Sequence, residues 1–202
     1  MANFPREVEK KIAKDSGQFL KAEFEKTVIK NFETIKNQMI KEFLNHPVTK
    51  EILAGPTAEN ISETLGGNGN LFSYIGFEEG SEPIEKVLEE FRKTSIRFNG
   101  LIENGANWLI FMPAKEDIWE ASPMPWAPGR SWAKGIETGI SGLGQYLYDF
   151  RGELPTSRSG TGLQTQIKLK KKSRFKNVKY ISLILAKYEQ KFSELNETSI
   201  ST

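Results

Sequence analysis

Residues 18–44 carry the clearest periodicity in the chain. Leu20, Phe24, Val28, Phe32, Ile35, Met39 and Phe43 recur at steps of three or four, which lays one apolar stripe along a long helix. Lysines and glutamates fill the other faces nearly in balance. Asn45-His46-Pro47 ends the pattern, because a residue before proline is pushed out of the α region. The stripe reads as core rather than as a seam for a partner helix, since no heptad repeat accompanies it.

The pattern then dissolves. Residues 45–80 are rich in Gly, Asn, Ser and Thr and keep no single period. A loop of that length inside a compact domain is uncommon unless it serves a function, so this stretch is expected to be an assembly loop, ordered by partner contacts. Gly66, Gly67 and Gly69 permit tight turns at positive φ. "LFSYIGF" is aromatic enough to anchor the end of the loop in a core or an interface.

Regular patterns resume at residue 81. Ser81 and Pro83 suit the start of a short helix with Ile84, Val87, Leu88 and Phe91 on its buried face. "TSIRF" and "GANWLIFMP" read as strands. A proline-broken aromatic segment leads to a helix capped by Ser131 and passing Ile136. "LQTQIKLK" alternates as a strand does, and Asn177 opens a last amphipathic helix carrying Val178, Ile181, Ile184, Leu185, Tyr188 and Phe192. Residues 193–202 read as a flexible tail. The expectation is one α+β domain over residues 1–202: a small, mostly antiparallel sheet packed with helices, with its core at about 81–192.

Composition narrows the chemistry. The 202 residues contain no cysteine and one histidine, which excludes disulfides, thiolate metal sites and cysteine nucleophiles. His46 has no second histidine with which to share a metal, and its place before Pro47 suits a capping bond. "GGNGN" and "GISGLG" lack the Gly-Lys-Ser/Thr end of a phosphate loop. Ser157 and Ser159 have no nucleophile elbow around them. No catalytic, metal or cofactor site is expected. The first residues are charged, with no apolar core of a signal peptide, and no apolar run reaches a membrane span.

Charge is more informative than its total of +2. From Glu51 to Glu90 there are nine acidic residues against Lys86 alone, with Glu78, Glu79, Glu82 and Glu85 clustered. From Arg151 to Lys179 there are nine basic residues against Glu153 alone. Arg158, Lys168, Lys170, Lys171, Lys172, Arg174 and Lys176 form the basic strip, with Lys168 and Lys170 on one strand face and Ile167 and Leu169 on the other. Three readings stand for this strip: a solvated face or subunit contact, contact with a DNA backbone, and contact with an anionic membrane. The last suits it least, because the segment is not an amphipathic basic helix.

Three phrases carry a resemblance: "NHPVTKEILAGPTAENISETLGGNGNLFSYIGF", "PWAPGRSWAKGIETGISGLGQYLY" and "SRSGTGLQ…SRFKNVKYISLIL". They span most of residues 45–185 and resemble structural proteins of tailed bacteriophages, above all the neck or tail-completion proteins found where head joins tail. The resemblance implies a virion protein without catalytic residues, made in the host cytoplasm and built into the head–tail junction. It implies a homo-oligomeric ring, six- or twelve-fold, around the genome's path, touching other neck, portal-adaptor and tail proteins. A tail terminator or another tail ring is the nearest alternative. A stand-alone protein binding nucleic acid without sequence preference is the alternative from a different class. This chain has a longer N-terminal helix and a more elaborate glycine loop than small members of that family.

Overall fold

A computed structural model describes residues 6–66, 69–102, 105–139 and 175–198, with side chains in the first helix described from Glu25 onward. Seven α-helices and two antiparallel two-stranded sheets make up these residues. The fold is α+β, with long helices at both ends of the described chain.

Helix α1 spans Arg6–Asn45, about 60 Å at 1.5 Å per residue. It starts earlier than its apolar stripe. "REVEKK" continues the helix on propensity, and Gly17 in mid-helix does not break it, although a glycine there costs roughly 1 kcal/mol. The stripe behaves as its spacing implies: Val28, Phe32, Met39 and Phe43 are buried. The last helix, α7 (Ile181–Thr198), runs antiparallel to α1. Phe32 meets Phe192 at 5.3 Å between ring centroids, and Phe43 meets Tyr180 at 6.0 Å. At the interface edge Glu42 accepts hydrogen bonds from Lys187 (2.6 Å) and the Tyr188 hydroxyl (2.8 Å).

Between these two helices lie α2 (Pro47–Leu53), a 3₁₀ turn at Gly55–Thr57, α3 (Leu71–Ile75) and α4 (Pro83–Arg92). The hairpin β1 (Ser95–Ile102) and β2 (Gly105–Phe111) follows. Then come α5 (Lys115–Glu120), the small hairpin β3 (Pro123–Met124) and β4 (Ala127–Ser131), and α6 (Trp132–Thr138). One apolar cluster joins α1, α2, α3, α4, α5, α6 and α7, with Trp132, Tyr180 and Phe91 among its fully buried side chains. The core is therefore not confined to residues 81–192. Without the face of α1 it would lie open to water.

Several local expectations change. The 45–80 stretch, expected as a partner-ordered assembly loop, is packed into the fold: Val48, Ile52, Leu65, Leu71, Phe72, Ile75 and Phe77 are buried. Its short helices fell below the length at which a period is readable. Gly66 and Gly69 do take positive φ (62° and 73°); Gly67 lies outside the described residues. The N-cap position of α4 falls on Glu82 rather than Ser81, and the Glu82 side chain makes no capping hydrogen bond. The proline-broken segment closes into β3–β4, and the described strands form two small antiparallel ribbons. Helix α7 begins at Ile181, not Asn177, and continues to Thr198 where a loose tail was expected from 193. The "LQTQIKLK" strand lies outside the described residues.

Candidate functional site

The acidic cluster occupies the turn before α4 and that helix's first turn. Helix α4 buries Ile84, Val87, Leu88 and Phe91, which forces its remaining face outward. Glu78, Glu79, Glu82 and Glu85 are all exposed. Glu85 pairs with Arg92 at 2.5 Å. Glu78, Glu79 and Glu82 form no ion pair with any described residue. Carboxylates at a helix start are favoured by the backbone dipole, so three acids stand together here without a cation of their own.

Directly beside them is a groove of about 370 Å³, floored by Leu53, Pro56, Phe72 and Ile84 and rimmed by Glu82 and Glu85. Leu53 ends α2 with 56% of its surface exposed. Two larger grooves lie elsewhere. One, about 840 Å³, runs between β2 and α7 and includes Leu109, Met112, Leu185 and Phe192. The other, about 820 Å³, is lined by both charge signs: Glu116 and Glu120 oppose Arg130 and Lys134. Lys134 lies 4.7 Å over the Trp119 ring.

Of the basic strip, Lys176 alone is described. Its backbone N–H donates to the Thr64 carbonyl (2.8 Å), and its side chain is exposed. The neighbouring Phe175 ring stacks on Tyr74, 5.5 Å apart and within 7° of parallel. Arg158, Lys168, Lys170, Lys171, Lys172 and Arg174 lie outside the described residues, and the described chain does not bring Lys176 into an ion pair with the acidic cluster. The two ends of the 140–174 stretch meet on the body. Val178 N–H donates to the Ile136 carbonyl (3.2 Å), and a side chain added at Gly139 would touch Asn177 at 3.6 Å.

The platform under both features is organised by a residue that pattern reading passed over. Glu51, on α2, is fully buried. Its carboxylate accepts from Asn60 Nδ2 (2.9 and 3.1 Å), from the Ser62 N–H (2.8 Å) and from the Leu71 N–H (2.7 Å). A buried carboxylate is tolerable only when its lone pairs are satisfied in this way. Glu51 thereby ties residues 60–71 to α2. A signal was present: Val48, Glu51 and Ile52 stand at i, i+3 and i+4 in a helix, so Glu51 shares the buried face. Asn70 continues the scheme, capping α3 through the Ser73 N–H (2.9 Å) and donating to the Pro56 carbonyl (2.7 Å).

His46 is the N-cap of α2, its Nδ1 accepting from the Val48 N–H at 3.3 Å. Burial against the Tyr180 ring, 4.6 Å away, holds its pKa below the ordinary imidazole value, while Glu42 acts weakly the other way. Burial raises the phenol pKa of Tyr180, which shares a short hydrogen bond with Thr49. Glu137, on α6, caps α7 from outside by accepting from the Tyr180 and Ser182 N–H groups (3.2 and 2.7 Å).

Among the described residues no three His, Cys, Asp or Glu side chains converge as a metal site, and no helix is long and apolar enough to cross a membrane. Comparisons with protein-family models, with curated proteins and with solved structures find no match to this chain.

Proposed function

We propose that this protein is a structural subunit of a tailed-bacteriophage virion, forming part of a ring at the head–tail junction around the DNA channel, with no turnover of its own. The observation that carries this reading is the unmatched acidic pole: Glu78, Glu79 and Glu82 are exposed and lack an ion pair among the described residues, while the chain carries a compensating basic pole at 151–179. A ring is a heterologous assembly, in which one surface of each subunit meets a different surface of the next. Opposed poles on one chain supply the two surfaces, and complementary charge fixes their register. Lysines and arginines of the strip that face the channel would meet phosphates without reading sequence. The resemblance of residues 45–185 to neck and tail-completion proteins points the same way.

The test is physical association. The chain should be found in purified virions by mass spectrometry, and in solution it should form an oligomer or join a portal or tail-tube protein. Protein that stays monomeric with those partners and is missing from virions refutes the reading. A monomer that binds DNA in a strongly salt-dependent way, and is missing from virions, identifies a stand-alone nucleic-acid-binding protein instead.

A further inference from the structure

The groove at the end of α2 has a floor and a rim that ask for the same kind of ligand. Leu53 and Pro56 leave apolar surface open, and Glu82 and Glu85 border it, with Glu78 and Glu79 in the adjoining turn. A ligand that fits presents aliphatic side chains flanked by cations. The sequence contains one such segment, "LQTQIKLKKK" at 163–172, where Ile167 and Leu169 stand two apart and Lys168, Lys170, Lys171 and Lys172 surround them. In an extended segment, residues two apart share a face.

We propose that this groove receives residues 163–172 of a second copy of the chain. Ile167 and Leu169 would cover Leu53 and Pro56, and Lys171, on their face of the strand, with Lys170 and Lys172 beside it past the apolar pair, would meet Glu78, Glu79 and Glu82. This rests on the subunit reading above and specifies its joint. Two observations favour a neighbour over the same chain. The chain's own segment re-enters the body at Phe175, stacked on Tyr74, whereas the groove uses Phe72. Residues two apart on a helix such as α3 point to opposite faces. Ile167 also stands eight residues before the anchored Phe175, a span of up to about 27 Å when extended, which is enough to cross to a subunit packed against its own. A donor segment on one surface and a receptor groove on another is the head-to-tail arrangement that closes rings.

The absence of cysteine allows a direct test. Full-length Leu53→Cys and Leu169→Cys chains, mixed and oxidised, should give a disulfide-linked pair at twice the 22.9 kDa monomer mass. A chain carrying both substitutions should give a ladder of multimers. If the doubly substituted chain instead forms only an internal disulfide, the segment folds back on its own groove and the proposal is wrong. Charge supplies a second readout. Glu78→Lys, Glu79→Lys and Glu82→Lys together should weaken self-association at least tenfold, as should Lys170→Glu, Lys171→Glu and Lys172→Glu. Each triple variant alone should be monomeric, their mixture should assemble with the two variants alternating because both joints then pair opposite charges, and both sets in one chain should restore oligomers. Rising salt should weaken the wild-type oligomer. If the wild-type chain forms an oligomer that Leu53→Ser leaves intact, and the Leu53→Cys and Leu169→Cys chains do not cross-link, the groove is overturned while the ring stands. A wild-type chain that never associates removes both.

Discussion

Residues 46–77 and the β1–β2 hairpin teach opposite lessons about regularity and anchorage. The first is glycine-rich, aperiodic and cut into short turns, yet it buries Ile52, Leu71, Phe72, Ile75 and Phe77 in the main core and satisfies its polar groups on the Glu51 carboxylate. The second pairs Ser95–Ile102 with Gly105–Phe111 as an antiparallel ladder, Phe98 opposite Trp108, with its register shifting between Phe98 and Gly100. Its described side chains nonetheless reach the main core through the partly buried Ile96 and Ile110 rather than through fully buried ones. Its buried Trp108 belongs to a small cluster with Val28, and Leu109 and Phe111 remain 40% and 51% exposed. Ladder hydrogen bonds make a strand, but what ties a segment to the molecule is the apolar area and the polar partners it shares with other elements. By that measure the apparent loop is foundation and the hairpin is attachment.

The sharpest way to break this comparison is to remove the carboxylate. Glu51→Ala should destabilise the protein by about 3–5 kcal/mol, because two backbone N–H groups and the Asn60 amide lose a buried acceptor at once. Glu51→Gln keeps one acceptor oxygen and should cost clearly less. Urea unfolding followed by circular dichroism gives both values, and a cost under about 1 kcal/mol for the alanine variant would mean the stretch is held by its apolar contacts alone.

Truncation of matched aromatics contrasts the two regions next. Phe72→Ala should cost about 3–4 kcal/mol, as expected for a fully packed phenyl ring. Phe111→Ser should change stability by less than about 0.5 kcal/mol, since much of that ring is in water already. Equal losses would show that the hairpin is anchored more firmly than its burial implies.

Hydrogen exchange sharpens the same contrast without any substitution. The amides of Ser62 and Leu71, bonded to Glu51, should exchange only through large-scale opening in the isolated subunit. Those of the hairpin should exchange by local opening at much lower free energy. Fast exchange at Leu71 would return the stretch to the status of a loop awaiting a partner.

The smallest expected effect concerns pH at the junction of α1 and α2. Lys187, hydrogen-bonded to Glu42, holds that carboxyl below its ordinary pKa, and burial holds His46 below the ordinary imidazole value. In both cases the unfolded chain binds the proton first. Each contribution is therefore present above the unfolded pKa and lost as pH falls. Stability should decline first below about pH 6.5, where free imidazole protonates, and again in the carboxylate range. His46→Asn retains a good N-cap and should flatten the first decline. Glu42→Gln should weaken the second and cost under about 1 kcal/mol at neutral pH, since its ion pair is partly solvated. Thermal unfolding across pH 4–8 measures all of these, and an unchanged profile in His46→Asn would place the titration elsewhere.

Much of the architecture was legible in the chain itself. The stripe of α1, the buried faces of α4 and α7, the Ser131 cap and the β1–β2 strands all follow from periodicity and capping chemistry, because each is decided by residues within a turn or two of one another. The acidic cluster was likewise legible, since a helix that buries Ile84, Val87, Leu88 and Phe91 must turn its glutamates outward. What only the tertiary structure decided depends on residues distant in sequence. The spacing of Val48, Glu51 and Ile52 puts Glu51 on the buried face of α2, but its partners are fixed only when Asn60, Ser62 and Leu71 converge on it. Helix α7 starts at Ile181 because Glu137, from another helix, supplies its cap. Leu53 becomes a groove floor only when Phe72 and Ile84 arrive beside it. Local pattern sets which face of an element is apolar. Which donors and acceptors that face will meet is settled by the folded arrangement, where every buried polar group must find its partner.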